Sequence, residues 1–196
     1  MTPRKSLGAI IPSGGTIDYG GEQVPLIRRS WKSVRGARNE KTPYYRIEMM
    51  SPGQCWLDMA ADASCGYSEH YVELNGKPLP VGILIAQELR DEGAVIAVCT
   101  DLTKGQLRFV STDLICIVPG PPLSGVLEEL RAANGNSLRG LPDAIGIFPD
   151  GRVALREAKR AKKDRLNPNQ HAFARAARQV LGDRLDLAVV EWAYET

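Results

Sequence analysis

The sequence has few of the residues that build zinc sites or disulfide frameworks. Its 196 residues include 4 cysteines and 2 histidines. The cysteines stand far apart and include no Cys-x-x-Cys pair, so a structural zinc site is not expected. We expect reduced, mostly buried thiols instead. The four positions are Cys55, Cys65, Cys99 and Cys116.

Long apolar runs are also absent. The longest, residues 79–86, is too short to span a bilayer. The N-terminal residues lack the basic, apolar and small-residue order of a secretion signal. An apolar content of 43% and a charged content of 24% are ordinary for globular proteins. We therefore expect a soluble, cytoplasmic protein that has no membrane partner.

A compact group of motifs follows residue 139. Gly140-Leu141-Pro142-Asp143 precedes an apolar run that ends in a turn signal, Pro149-Asp150-Gly151. Residues 153–159 then resume an extended pattern, so the whole segment predicts a β-hairpin.

Charged residues lie on the apolar stripes of this predicted hairpin. Because side chains alternate along a strand, Asp143 and Ile145 share one face of the first strand. Leu155, Glu157 and Lys159 share one face of the second strand. A charge on a core-facing stripe is costly unless something pairs with it, and a divalent metal is such a partner.

The segment after the hairpin predicts a helix and a further strand. Asn167 suits the N-cap, Pro168 the first helical position, and Gln170 the capping-box position. Apolar residues then recur at helical spacing until Gly182, and residues 186–192 resemble a buried strand. Gln170 could cap the helix, serve the charged hairpin, or do both.

This ordered set resembles the PD-(D/E)xK nuclease superfamily over residues 139–192. Within that superfamily the pattern is closest to the VRR-NUC domain, and it is also similar to the Holliday-junction resolvases. The resemblance implies a restriction-endonuclease-like core, which is an α/β or mixed α+β fold with a mixed sheet flanked by helices. It implies Mg²⁺-dependent (or Mn²⁺-dependent) hydrolysis of phosphodiester bonds in DNA, with RNA not excluded. An endonuclease of repair, recombination or defence is the expected enzyme.

The resemblance also implies roles for individual residues. Asp143 and Glu157 would ligate the metal, with the backbone carbonyl of Ala158 as a further ligand. Lys159 would position or help activate the attacking water, which makes it catalytic together with the two carboxylates. Gln170 matches the catalytic glutamine at the start of the following helix. The alternative is a surface hairpin whose charges are only solvated.

A third carboxylate is the least defined part of the predicted site. The superfamily often takes one from the helix before the first motif, and residues 123–130 have helical periodicity. Glu129 flanks the apolar stripe of that helix more closely than Glu128, so Glu129 is the candidate metal ligand of this helix. The spacing to Asp143 is shorter than the family usually has, and a solvated helix face would explain either glutamate.

Basic residues form two clusters although the net charge is only +2. Such clusters are typical of phosphate-backbone binding, although a solvated surface has the same composition. For the first cluster both interpretations stay open, whereas the second adjoins the predicted site and favours nucleic acid. The candidate contacts are Arg28, Arg29 and Lys32 in the first cluster, and Arg156, Arg160, Lys162, Lys163 and Arg165 in the second.

The domain organisation has two interpretations. Residues 119–196 would form the nuclease core, and residues 1–118 an N-terminal α+β module with substrate recognition as a candidate role, with Pro119-Gly120-Pro121-Pro122 between them. Residues 1–118 could instead extend the nuclease sheet. The alternative function is a non-catalytic nucleic-acid-binding module with a nuclease-like fold in a larger complex. A homodimer is a further possibility.

Overall fold

The computed structural model describes residues 9–33, 71–74, 77–103 and 106–195. Three α-helices lie in these ranges: α1 (Val81–Asp91), α2 (Leu123–Ala133) and α3 (Pro168–Leu181). In this part of the chain, no helix is long and apolar enough to cross a membrane.

The same ranges contain ten strands. They are β1 (Ala9–Asp18), β2 (Gln23–Ser33), β3 (Tyr71–Leu74), β4 (Lys77–Pro80), β5 (Ile96–Thr103), β6 (Gln106–Ser111), β7 (Cys116–Ile117), β8 (Ala144–Ile147), β9 (Val153–Arg160) and β10 (Leu185–Tyr194). They form one sheet in the order β4-β3-β2-β10-β9-β8-β5-β6-β7, and β1 pairs with β2. Strands β9, β10 and β2 run parallel, and the other pairs are antiparallel. The predicted mixed α+β fold with a mixed sheet is confirmed.

Helices cover both faces of the sheet. The apolar side of α1, including Ile83 and Leu84, packs with Trp192 and Cys99 in one hydrophobic cluster. The apolar sides of α2 and α3 share a second cluster with alternate residues of the same strands, such as Leu155. Burial of these apolar side chains is the main force that holds the layers together. Cys99 and Cys116 are buried, as predicted, whereas Cys55 and Cys65 lie outside the described residues.

The described part of residues 1–118 extends the sheet of residues 119–196. Strand β5 lies beside β8, and β2 lies beside β10, so early strands flank the later ones on both sides. Both hydrophobic clusters contain residues from before and after position 119. Of the two interpretations of the domain organisation, sheet extension describes these residues, because they do not build a separate core.

Local signals account for the elements that carry the candidate site. The predicted hairpin forms with Ile145 opposite Leu155, and its last pair is Ala144 opposite Arg156. Asp143 follows directly beyond this pair, where its side chain accepts a hydrogen bond from Ala158 N. Helix α3 begins after Asn167 with both hydrogen bonds of a capping box. Both features arise from sequence neighbours, which explains why the pattern predicted them.

Candidate active site

A cavity of about 330 Å³ opens where the β8–β9 hairpin meets α1 and α3. Its walls come from residues that are far apart in sequence but adjacent in the sheet and helices. The polar side chains that line it are those of Thr100, Asp143, Glu157, Lys159, Asp164 and Gln170. Asp143, Glu157, Ala158, Lys159 and Gln170, which the sequence predicted as one site, therefore lie together.

Glu157 is the most buried charged group in the cavity, with only 2% of its surface exposed. Its Oε1 accepts hydrogen bonds from Lys159 Nζ at 2.6 Å and from Gln170 Nε2 at 2.5 Å. Its Oε2 is buried and has no hydrogen-bond partner in the described structure. A buried carboxylate oxygen without a partner is costly, so Oε2 needs either a proton shared with the neighbouring Asp143 or a ligand.

Asp143 is held by its backbone and by its side chain. Its carbonyl oxygen accepts a hydrogen bond from Thr100 N at 2.8 Å, and its Oδ2 accepts one from Ala158 N at 2.7 Å. Thr100 Oγ1 also donates to the carbonyl of Pro142 at 2.6 Å. The hydrogen bonds from Thr100 therefore hold the backbone of Pro142 and Asp143 against β5. The hydrogen bond from Ala158 holds the Asp143 side chain next to Glu157.

Burial opposes the ionisation of both carboxylates. Burial raises the pKa of Asp143, against the hydrogen bond from Ala158 and the charge of Lys159. Burial and then the Asp143 charge raise the pKa of Glu157 well above its usual range, against Lys159. A single lysine cannot neutralise two carboxylates that are shielded from water, so the pair must hold a proton or a cation.

The oxygen atoms around this pair fit a hard divalent cation. Glu157 Oε2, the carboxylate of Asp143 and the carbonyl of Ala158 are the oxygen donors that Mg²⁺ or Mn²⁺ prefers. No group of three or more Asp, Glu, His or Cys side chains suited to a metal occurs in the described ranges. Mg²⁺ is commonly bound through one or two carboxylates and otherwise by water and substrate phosphate, so the donor set suffices.

Gln170 has two structural roles at once. Its Oε1 accepts a hydrogen bond from Asn167 N at 3.0 Å, which completes the cap of α3. Its Nε2 donates to Glu157, as described above. The sequence left open whether this residue caps the helix or serves the charged hairpin, and the structure shows both contacts.

The start of helix α1 also borders the cavity, which no pattern in the sequence indicated. Pro80, Val81 and Gly82 line it, and the N-cap residue Pro80 makes no side-chain cap. Gly82 permits the approach, because a Cβ there would stand 2.5 Å from Cys99 Sγ and 3.2 Å from the Asp143 carbonyl oxygen. A helix start carries unpaired N–H groups and the positive end of the helix dipole, so it favours anionic ligands.

Asp164 is a further lining residue that the sequence did not single out. It lies on the loop after β9, where its Oδ2 accepts a hydrogen bond from Arg160 N at 3.0 Å. Its place at the cavity depends on the path of that loop, for which residues 161–166 carry no distinctive signal.

The structure does not bring Glu129 to the cavity. Glu129 Oε2 accepts a hydrogen bond from Arg184 at 2.8 Å, and Glu128 is paired with Arg131 on the same helix. Neither glutamate lines the cavity. The helix beside Asp143 is α1.

Two of the arginines predicted to contact nucleic acid form ion pairs inside the protein instead. Arg156 is buried, and its guanidinium binds both carboxylate oxygens of Asp186 at 2.8 and 3.0 Å. Arg29 is mostly buried and binds Glu88 at 2.8 Å. These two arginines stabilise the fold and are not free to bind phosphate, so we correct that prediction for both.

The other predicted contacts remain at the surface. Lys162, Lys163 and Arg165 are exposed on the loop between β9 and α3, the same loop whose Asp164 lines the cavity. The guanidinium of Arg160 lies 4.9 Å from the Tyr194 ring centre. In the first cluster, Lys32 is exposed, and Arg28 is half-exposed and paired with Glu191 at 3.0 Å.

Comparisons with known proteins identify no relative. No family model, no curated protein and no solved structure matches this chain. The function is therefore inferred from the residue pattern and from the chemistry of the cavity.

Proposed function

We propose that this chain is a Mg²⁺-dependent (or Mn²⁺-dependent) nuclease that hydrolyses phosphodiester bonds in DNA. The observation that carries the proposal is the pair of Asp143 and Glu157 at an open cavity, with Glu157 Oε2 buried and unpartnered. A purely structural ion pair would match one carboxylate to one lysine, whereas here two carboxylates face Lys159. This excess negative charge suits a divalent cation.

Different residues of the cavity would bind the metal and position the attacking water. A bound metal supplies Lewis-acid chemistry, polarising the phosphate and lowering the pKa of its water. Asp143, Glu157 and the Ala158 carbonyl would hold that metal. Lys159, whose Nζ is fixed 2.6 Å from Glu157, would position the attacking water and balance charge on the phosphate as the P–O bond breaks.

Fixed hydrogen bonds support the proposed geometry before substrate binds. Thr100 and the Ala158 N–H hold Asp143, and Gln170 holds Glu157. The start of α1 would face the negatively charged phosphate, and the exposed cations of residues 162–165 would hold the flanking backbone. Catalytic groups held in place in this way need little reorganisation during the reaction.

The resemblance to VRR-NUC domains and junction resolvases favours an endonuclease of repair, recombination or defence. A second candidate is a non-catalytic nucleic-acid-binding module in a larger complex. That candidate is favoured by the small ligand set, since Glu129 does not reach the cavity. It is disfavoured by the presence of Asp143, Glu157, Lys159 and Gln170 together.

Cleavage assays separate the two candidates. The protein is incubated with plasmid, single-stranded and branched DNA, and with RNA, in Mg²⁺, Mn²⁺ or EDTA. We expect metal-dependent cleavage that Glu157→Gln abolishes and that the exposed matched control Glu128→Gln retains. Binding without cleavage in either metal would favour the non-catalytic module, and cleavage by the folded Glu157→Gln variant would exclude the proposed site.

A further inference from the structure

A second cavity, of about 320 Å³, adjoins the first one at Lys159. Lys159 and Asp164 line both cavities, so the two spaces lie on either side of these residues. The second cavity lies against β1, β2, β10 and the start of α3. Its apolar lining residues are Ile17, Leu26, Leu166 and Val189.

The polar lining of the second cavity combines hydrogen-bond donors and acceptors. His171 Nδ1 accepts a hydrogen bond from Gly20 N at 2.9 Å, which leaves Nε2 as the donor atom of this ring. Lys159 and Arg165 add cationic donors. The acceptors are the carboxylates of Asp18, Asp164 and Glu191.

This lining suits a nucleoside better than a phosphate. A phosphate offers only acceptors, and although Lys159 and Arg165 would attract it, it would also meet Asp18 and Asp164, which repel it, beside a Glu191 that Arg28 already pairs. A nucleobase has apolar faces, and its edges carry both donors and acceptors. The volume is also in the usual range for small-ligand pockets, roughly 300 to 1,000 Å³.

We propose that the second cavity binds an unpaired nucleoside next to the phosphate that is cut. This rests on the proposed function, because it places the scissile phosphate in the first cavity, on the other side of Lys159. A base that is paired and stacked in a duplex cannot enter such a pocket. The preferred substrates are therefore single strands, flaps or bulges with an unpaired nucleotide at the cut.

Binding in EDTA tests this without cleavage. The fluorescent base 2-aminopurine is placed in a single-stranded oligonucleotide and in the matching duplex, and affinity for the full chain is measured. Leu26→Trp narrows the cavity, and Val95→Trp adds the same side chain at a position that is 64% exposed. We expect Leu26→Trp to weaken single-strand binding about five- to a hundredfold, with duplex binding and the Val95→Trp control unchanged.

A folded Leu26→Trp variant that binds the single strand as tightly as the wild type would overturn the proposal. If that variant does not fold, Asp18→Asn decides, because it keeps the size of this 54% exposed side chain and replaces one acceptor oxygen by a donor. A single-strand affinity that changes no more than the duplex affinity in this variant also overturns the proposal. The proposed function fails separately, if the wild type cuts no nucleic acid in Mg²⁺ or Mn²⁺. If Leu26→Trp still cuts duplex plasmid but loses its single-strand preference, both proposals are supported.

Discussion

Gln170 Nε2 lies 2.5 Å from Glu157 Oε1, and this contact joins the start of α3 to the carboxylate pair. The same side chain caps the helix through its Oε1. One amide therefore serves the local stability of α3 and the orientation of a proposed metal ligand. The two roles can be separated, because Asn167 contributes to the cap without contacting Glu157.

Gln170→Ala should lower kcat more than its effect on stability explains. Asn167→Ala is the matched control, since it removes the other half of the capping box. Both variants should lose about 0.5 to 2 kcal/mol of unfolding free energy, because each removes a cap hydrogen bond. Only Gln170→Ala should also release Glu157 and reduce turnover, so equal turnover in the two variants would limit Gln170 to capping. Denaturant unfolding and steady-state cleavage give the two quantities.

Glu157→Gln should stabilise the metal-free protein near neutral pH. Burial and the Asp143 charge raise the pKa of Glu157, so its ionised form opposes folding. The gain should be about 1.4 kcal/mol for each unit by which folding raises that pKa, up to the working pH. Thermal melts in EDTA measure this. Mg²⁺ should raise the melting temperature of the wild type and have little effect on the variant, and equal Mg²⁺ effects would exclude Glu157 as a ligand.

The stability of the metal-free wild type should fall as the pH rises from about 4.5 towards neutrality. Asp143 and Glu157 both have raised pKa values, so the folded state binds more protons than the unfolded state in this range. Their stabilising neutral forms are fully populated below the unfolded pKa values of about 4 and are lost above the raised ones. Urea unfolding in EDTA at several pH values gives the slope.

Two further partly buried carboxylates, Glu88 and Asp186, also affect how the unfolding free energy depends on pH. Burial also raises the pKa of Glu88, against its bond to Arg29, so a weaker slope of the same sign should remain in the Asp143→Asn, Glu157→Gln double variant. Burial opposes ionisation of Asp186, yet Arg156 and Arg152 lower its pKa overall. The stability from Asp186 is present above its unfolded pKa of about 4 and is lost below it, outside the tested range. If the double variant kept the wild-type slope of unfolding free energy against pH, Asp143 and Glu157 would not be the residues with raised pKa values.

The sequence predicted the parts of the site that local signals determine. The Pro-Asp-Gly turn sets the hairpin register, and strand alternation then puts Asp143 and Glu157 on one face. Asn167, Pro168 and Gln170 define the start of α3 in the same local way. These features were predictable because each depends on residues within a few positions of one another.

Contacts between distant segments were not predictable from the sequence. Thr100 meets Pro142 across 42 positions, and this pairing of β5 with β8 is what brings the start of α1 to the cavity. Arg156 looked like a surface cation because its partner Asp186 stands 30 positions away. The sequence shows where basic residues are close together in the chain, but it does not show which of them form ion pairs in the fold.

Gly140→Ala should destabilise the protein and weaken the site. Gly140 has a φ of +84°, which is unfavourable for residues with a Cβ. A Cβ there would also overlap the carbonyl oxygen of Asn169 at the start of α3. We expect a loss of about 1 to 3 kcal/mol, measured by denaturant unfolding. Gly151→Ala is the control, because it has a similar φ of +86° but open space around it, and it should cost less.

Removing the positive charges of the loop after β9 should weaken DNA binding and reduce its dependence on salt concentration. Lys162, Lys163 and Arg165 are exposed on the loop whose Asp164 lines both cavities, so their replacement by glutamine should leave the fold intact. For each phosphate that the variant no longer binds, the slope of log affinity against log salt should fall by about 0.9 for duplex DNA. The triple variant should therefore flatten the slope by about two to three units. Fluorescence anisotropy in EDTA measures the slope without cleavage.

A control triple variant separates local binding from net charge. Arg131, Arg175 and Arg184 are also exposed but lie on α2, α3 and the turn after α3, outside the loop that carries Asp164. Their replacement by glutamine removes the same total charge, and Arg131 and Arg184 also lose surface ion pairs with Glu128 and Glu129. We expect this control to keep most of the wild-type slope, because counterion release follows the cations that touch phosphate. The weakening in the loop variant should be similar for unrelated DNA sequences, since phosphate contacts carry no base information. Equal slopes for the two triple variants would show that the loop is only a solvated surface and that DNA reaches the cavity by another path.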